Sequence, residues 1–250
     1  MEGLDEPISR EEYAARKPGW ERELFDIVRR VKNGKVPVIL VCEGAQGSGM
    51  HRAIFELTEK MDPRVYTVRH TMPAREHEST RPWMWRFWMM TPARGDFAIF
   101  DESWYLHVLG ERASGAVKKK EVRARYDEIL SFERQLVADG TVLIKLFFQI
   151  DEKTARKRLE KAEKAGATHL KRRRKNLKRF PQWREAADEM LERTSTDRAP
   201  WHVIPAKEPR FARSRTFEIV IESLRRALDE RKIPLPAAVP AAAKPAEVSR

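Results

Sequence analysis

Apolar residues fall along this chain in two rhythms. Short unbroken runs, "VPVILVC" (36–42), "RVYTVRH" (64–70), "DFAIFD" (96–101), "TVLIKLFFQI" (141–150) and "WHVIP" (201–205), are rich in β-branched and aromatic residues and predict strands. Between them the apolar positions recur at helical spacing. Tyr13, Trp20, Leu24, Ile27, Val28 and Val31 mark a helix from Ser9 to Lys32, which Pro18-Gly19 is expected to split in two. Tyr126, Ile129, Leu130, Phe132, Leu136 and Val137 mark another, with Gly140 as its C-cap. A third runs from an N-cap at Asp151 to Gly166, and a fourth from Arg210 to Arg231. Runs without alternation belong to strands buried on both faces. Strands alternating with helices therefore predict an α/β fold, a parallel sheet with helices on both faces.

Composition narrows this frame. A chain of 250 residues with 41% hydrophobic content can bury a substantial core. The opening "MEGLDEPISR" is acidic and polar, unlike a secretion signal, and no run approaches the roughly 18 apolar residues of a membrane span. A cytoplasmic protein with no membrane partner is expected. Cys42 lies inside an apolar run with no second cysteine, which reads as a plain buried thiol. The six histidines lack the short spacings of a zinc site. The last residues, "IPLPAAVPAAAKPAEVSR", read as a disordered tail over 233–250.

The net charge of +12 asks for a polyanion without choosing among nucleic acid, nucleotide, polyphosphate and anionic lipid. It is concentrated in "HLKRRRKNLKR", where seven of the nine residues from Lys171 are Lys or Arg. That run is either a solvated helix face or a segment that lies against an anion.

Three stretches carry candidate chemistry. The first is "GAQGSG", Gly44 to Gly49, directly after a strand and ahead of the helix-like "MHRAIFEL". Glycines there let amide hydrogens turn inward, and the helix start adds a positive dipole end, which is the layout of a phosphate-binding loop. It is equally the layout of an ordinary glycine turn. Gly44, Gln46, Gly47, Ser48, Gly49, Met50, His51 and Arg52 are the candidate phosphate-binding residues. The second is "FAIFDESWY", whose strand ends on Asp101 and so places a carboxylate at the sheet edge where ligands of open α/β folds collect. The third, "RPWMWRFWMMTP", interleaves Trp83, Trp85, Phe87 and Trp88 with Arg81 and Arg86. Its aromatic residues read as core more readily than as a base-stacking platform, and Arg86 is the candidate for an anion contact.

The order and spacing of these segments resemble the polyphosphate kinase type 2 family from about Arg10 to Leu228. The resemblance includes "VPVILVCEG", Asp62 to Arg64, "RPWMWRFW", Ser103 to Tyr105, "FERQLVADGTVLIKLFFQI" and "DEMLERTSTDRAPWHVI". "RPWMWRFW" and "TSTDRAPWHVI" look most like the polyphosphate:AMP phosphotransferase branch. The resemblance implies a P-loop three-layer fold over 34–232, preceded by a helical segment (1–33) and carrying a helical basic lid at about 166–182. It implies phosphate transfer between inorganic polyphosphate and nucleoside mono- or diphosphates, with Mg2+. Asp101 would hold the metal, Asp101, Arg86 and Arg112 would serve the transfer, and Lys171 and Arg174 would grip phosphate. Polyphosphate and nucleotide are the expected partners rather than nucleic acid, with a homo-oligomer or pairing with a related subunit.

Departures from the family pattern concern charge. The family loop reads Glu-Gly-x-Asp-x-x-Gly-Lys-Gly, whereas this chain has Gln46, Met50 and His51 at the Asp, Lys and last Gly positions, a degenerate Walker A loop. Glu102 replaces the arginine after the strand-end aspartate, and the lid's tryptophan is absent. Each missing charged contact typically weakens transition-state stabilisation by several kcal/mol. Two readings stand: a weak polyphosphate-dependent phosphotransferase, and a pseudoenzyme that binds polyphosphate or nucleotide, or pairs with an active relative.

Overall fold

The computed structural model describes residues 8–167, 174 and 177–234. The tail from 235 onward and most of the basic run, Lys171 included, lie outside the described residues.

All five apolar runs form strands: β1 (Val38–Gly44), β2 (Tyr66–His70), β3 (Phe97–Asp101), β4 (Val142–Gln149) and β5 (Trp201–Pro205). They make one parallel sheet in the order β2-β3-β1-β4-β5. Each parallel step needs a crossover, which the helices supply. In chain order these are α1 (Arg10–Asn33), α2 (Met50–Thr58), α3 (Glu76–Ser79), α4 (Trp85–Trp88), α5 (Trp104–Ser114), α6 (Lys119–Ala138), α7 (Glu152–Lys164), α8 (Phe180–Thr194) and α9 (Pro209–Glu230).

The twofold repeat of a strand divides the core into two layers. From β1, Val38, Leu40 and Cys42 face the layer built by Leu24, Ile27 and Val31 of α1, Ala53 and Leu57 of α2, and Phe217, Leu224 and Leu228 of α9. Ile39 and Val41 face the other, built by Trp104, Tyr105 and Val108 of α5, Tyr126, Ile129 and Phe132 of α6, and Ala186, Ala187 and Met190 of α8. This is the three-layer arrangement expected from the sequence. Among the described residues no helix is long and apolar enough to cross a membrane.

One expectation fails. Pro18 does not split the first helix: α1 runs unbroken from Arg10 to Asn33 with Pro18 inside. Proline removes one bond to the carbonyl four residues earlier. Here that carbonyl belongs to Ala14, on the exposed face where water can satisfy it, while Leu24, Ile27, Val28 and Val31 hold the opposite face. The ends drawn from capping residues fare better. Asp151 accepts from the Thr154 amide at 2.6 Å, and Gly140 follows α6 with φ of 95°.

A charged network is sealed inside the second layer. Lys145, fully buried on β4, places Nζ 2.8 Å from Glu133 Oε2 and donates to the Thr194 carbonyl at 2.7 Å. Trp104 Nε1 and Tyr105 Oη donate to the other oxygen of Glu133 at 3.1 and 2.7 Å. Burial lowers the Lys145 pKa, and the Glu133 carboxylate opposes that. One pair thereby ties β4, α5, α6 and the end of α8 together. Removing one partner of such a pair leaves a buried charge uncompensated, so Lys145→Met should cost about 3–5 kcal/mol. The double variant Lys145→Met, Glu133→Gln should cost less than the single one. Urea denaturation of both checks this, and equal losses would show that the two charges are not coupled.

Candidate functional site

The site lies at the carboxyl ends of β1, β3 and β4. Parallel register pairs Cys42 with Asp101 and Gly44 with Phe148, so the turn leaving β1 passes directly beside the aspartate ending β3. Gly44 is needed for the close approach: a Cβ there would sit 2.7 Å from the Phe148 carbonyl oxygen. Gly49, the N-cap of α2, has φ of 89°, the left-handed region that favours glycine. With no side-chain cap and no acidic residue in its first turn, α2 turns open amides and a positive dipole end toward the turn.

Across from this turn is a cavity of about 640 Å³. Gly44, Gln46 and Gly47 line it, together with Arg81, Trp83, Arg86 and Phe87 from the aromatic segment and Phe180 and Trp183 from α8. Arg179, the last residue of the basic run, also lines it. The end of the run therefore shares a cavity with the glycine turn. Lys171 lies outside the described residues, while Arg174 is exposed and pairs with Glu163 at 2.6 Å.

The side chains following Gly47 mostly turn away from this cavity. Ser48 is buried, although its hydroxyl was a candidate to face phosphate. Met50 is 4% exposed and packs into the core beneath the turn with Ala53, Ile54 and Leu57. The first position of α2 therefore presents no side chain to an anion. Arg52 reaches forward along its own helix, its Nε 2.7 Å from Glu56, and stacks over Phe55. Arg112 bonds Glu189 and Glu185 of α8 at 2.8 and 2.6 Å and is not among the cavity's lining residues. Its neighbour Glu111 lines the cavity instead, because one residue is about 100° around a helix.

Arg86 does line the cavity, with Nη2 donating to the Met72 carbonyl at 2.8 Å and Nη1 3.7 Å from Glu78. The aromatic segment divides between core and site. Phe87 is buried, Trp83 packs edge-on against it and faces the cavity, and Trp88 stands edge-on to Phe132.

Sequence reasoning missed Arg158. From α7 its Nη1 donates to the Gly47 carbonyl at 2.7 Å, and Nη2 to the carbonyls of Ala206 and Lys207 at 3.0 and 2.9 Å. It pins the glycine turn to the segment after β5. In the sequence it is one basic residue among several on a charged helix, and only the helical phase of α7 singles it out.

At Asp101 the surroundings differ from those of a metal ligand. His51 Nδ1 lies 2.7 and 2.9 Å from its two carboxylate oxygens. His70 Nδ1 is 3.2 Å from the Asp101 backbone oxygen and 3.5 Å from Oδ2. Next to it Glu102 holds φ of 61°, left-handed for a residue with a side chain. The Glu102 amide donates to the Cys42 carbonyl, and its own carbonyl accepts from Thr71 Oγ1 at 2.7 Å. Magnesium takes oxygen ligands and gives up its waters reluctantly. Here position 51 offers an imidazole, position 46 an amide, and both Asp101 oxygens already accept from nitrogen. Among the described residues no three His, Cys, Asp or Glu converge as metal ligands. The donors present do not form a prepared magnesium site.

A family profile for polyphosphate kinase 2 matches residues 7–232. The chain belongs to the polyphosphate kinase 2 family. It is 34% identical over 228 residues to a polyphosphate:AMP phosphotransferase of Pseudomonas syringae pv. tomato, covering 90% of this chain and 46% of that protein. A polyphosphate:AMP phosphotransferase of Pseudomonas aeruginosa is 32% identical over 232 residues, with 92% and 46% covered. The crystal structure of a polyphosphate kinase 2 from Pseudomonas aeruginosa superposes with a TM-score of 0.86 at 30% identity, over 91% of this chain and 50% of that one. The chain thus spans about half the length of these relatives.

Behind the turn, Glu43 is buried and its Oε1 accepts from the Ser103 amide and hydroxyl, each at 2.7 Å. Burial first, then repulsion from Glu102 and Asp101, pushes its carboxyl up to about 8 against those hydrogen bonds. A carboxyl raised this way stabilises the fold fully below its ordinary value of 4.5, and that stability is lost progressively as pH rises to about 8. Glu43→Gln can accept the same two bonds without ionising. It should match the natural chain at pH 4 and exceed it at pH 8 by on the order of a few kcal/mol. Thermal melts at the two pH values measure the difference, and a gap that does not change with pH would contradict the assignment.

Proposed function

We propose that this chain takes inorganic polyphosphate and a nucleoside mono- or diphosphate in the cavity above the glycine turn, and transfers phosphate between them weakly. The observation that carries this reading is the pairing of a retained anion cradle with a buried Met50. The turn, the start of α2 and the cavity arginines supply amide dipoles and cations to a polyanion. Met50 withdraws the one side chain that the resemblance assigns to the transferred group. Asp101 at the strand end, Arg86 and Arg179 in the cavity wall and Arg158 behind the turn are the residues on which binding and positioning rest. Arg112 would join them only by leaving Glu185 and Glu189.

Transfer of phosphate depends on positioning and on cations that offset developing charge. With an exposed Gln46, a buried Met50 and the anion of Glu102 where a cation is expected, the site supplies the first better than the second. The contact of His51 with both Asp101 oxygens favours a second reading, binding without turnover, in which the chain serves a related subunit.

Turnover of AMP or ADP with polyphosphate, magnesium being supplied with the nucleotide, separates the two. We expect slow conversion that is lost in Asp101→Ala. The combined variant Gln46→Asp, Met50→Lys, Glu102→Arg should raise it about tenfold or more. No gain in a folded triple variant would overturn the account of the missing charges. Absence of turnover with polyphosphate still bound would establish the second reading.

A further inference from the structure

The residues around Asp101 disagree with the cation that the family resemblance implies, and the disagreement has a direction. His51 Nδ1 is within hydrogen-bond distance of both carboxylate oxygens, 2.7 and 2.9 Å, so a single N–H spans the edge that a hard cation would ligate. The imidazole of His70 lies nearby, 3.5 Å from Oδ2. Glu43, the nearest carboxyl on β1, is turned to Ser103. The first turn of α2 holds Met50, His51 and Arg52, none of which carries a hydroxyl for a metal.

The geometry points to a site that takes its phosphate chain free of divalent cation, with His51 standing in the cation's place against Asp101. This rests on the polyphosphate reading above. The countercharge comes from the protein: Arg81, Arg86, Arg158 and Arg179 line the cavity, together with the carboxylates of Glu78, Glu102 and Glu111, and the start of α2 adds amide hydrogens. Arginine suits this role, because its planar fork grips phosphate oxygens bidentately and is less strongly hydrated than a point cation. A divalent cation in solution then becomes a competitor. It neutralises the phosphate chain that these arginines attract, and it must displace His51 to reach Asp101.

Two measurements on the full chain test this. The first is calorimetric titration with inorganic tripolyphosphate, in EDTA and in excess magnesium. The second is Mn2+ binding to the chain alone, read by paramagnetic resonance. The natural chain should bind tripolyphosphate at least as tightly in EDTA as in magnesium, and should leave Mn2+ free. His51→Ser should acquire Mn2+ binding and an affinity that magnesium raises by about tenfold or more. His51→Asn, whose amide still donates to Asp101, should behave like the natural chain, which separates loss of the contact from general disturbance of α2. Tripolyphosphate binding that requires magnesium, or Mn2+ bound by the natural chain, would overturn this inference and leave the polyphosphate reading standing. Failure to bind tripolyphosphate in either condition would overturn the polyphosphate reading and this inference with it.

Discussion

Parallel pairing of β1 with both of its neighbours is the constraint on which the rest depends. A central strand has no freedom of register: slipping it by one residue would move Leu40 and Cys42 into the layer of Ile39 and Val41 and mismatch both faces at once. Fixed register brings Cys42 level with Asp101 and Gly44 level with Phe148. The glycine turn and the strand-end carboxylate are therefore placed together by the sheet, whichever side chains follow. What then holds the turn is uncharged or lies outside it. The Ala45 amide bonds the Phe148 carbonyl at 3.2 Å, the Ser48 amide bonds the Ala45 carbonyl at 2.9 Å, and Arg158 reaches Gly47 from α7. No lysine at position 50 enters this set of bonds. A turn held in this way does not depend on which side chain stands at position 50.

The second layer gives the site its far wall. Lys145 and Glu133 fix α5 and α6 against β4, and the Thr194 carbonyl anchors the end of α8 to the same ammonium. The cavity is bordered by α5 through Glu111 and by α8 through Phe180 and Trp183. The buried ion pair thus helps to hold two helices that border the cavity, without itself lining it. Replacing such a pair by apolar residues is often neutral or stabilising, so its value here is in specifying helix position rather than in net free energy.

Most of the fold was legible because β1, β3 and β4, buried on both faces, leave an unbroken apolar signal, and because glycine next to a strand end is rare without a backbone reason. The first helix was misjudged at Pro18, where the deciding fact is tertiary: the weakened turn faces water while the other face is packed against α9. The site was read more coarsely than the fold. Gly44, Gln46, Gly47 and Arg86 share the cavity, yet Met50, Arg52 and Arg112 turn elsewhere by a fraction of a helical turn. Phase of that fineness is set by packing and leaves no trace in spacing. Arg158 is the converse case, a residue that holds the glycine turn yet is hidden among basic neighbours of the same type.

Met50 shows what an apolar side chain at the head of α2 contributes to folding. Fully burying a methionine side chain is worth about 1.5–3 kcal/mol, and Met50 buries its own against Ala53, Ile54 and Leu57. A lysine at that position would have to leave the core and stand next to the positive end of α2, unfavourable until phosphate arrives. Sites organised for chemistry are commonly strained in this way, and substitutions that relieve the strain raise stability at the expense of rate. With Met50 turned inward, no cation from position 50 stands beside the Asp101 carboxylate. An imidazole at position 51, on the exposed side of the same turn, supplies a donor to it. The two residues make physical sense together: Met50 adds to the core, and His51 gives the Asp101 carboxylate a hydrogen-bond partner.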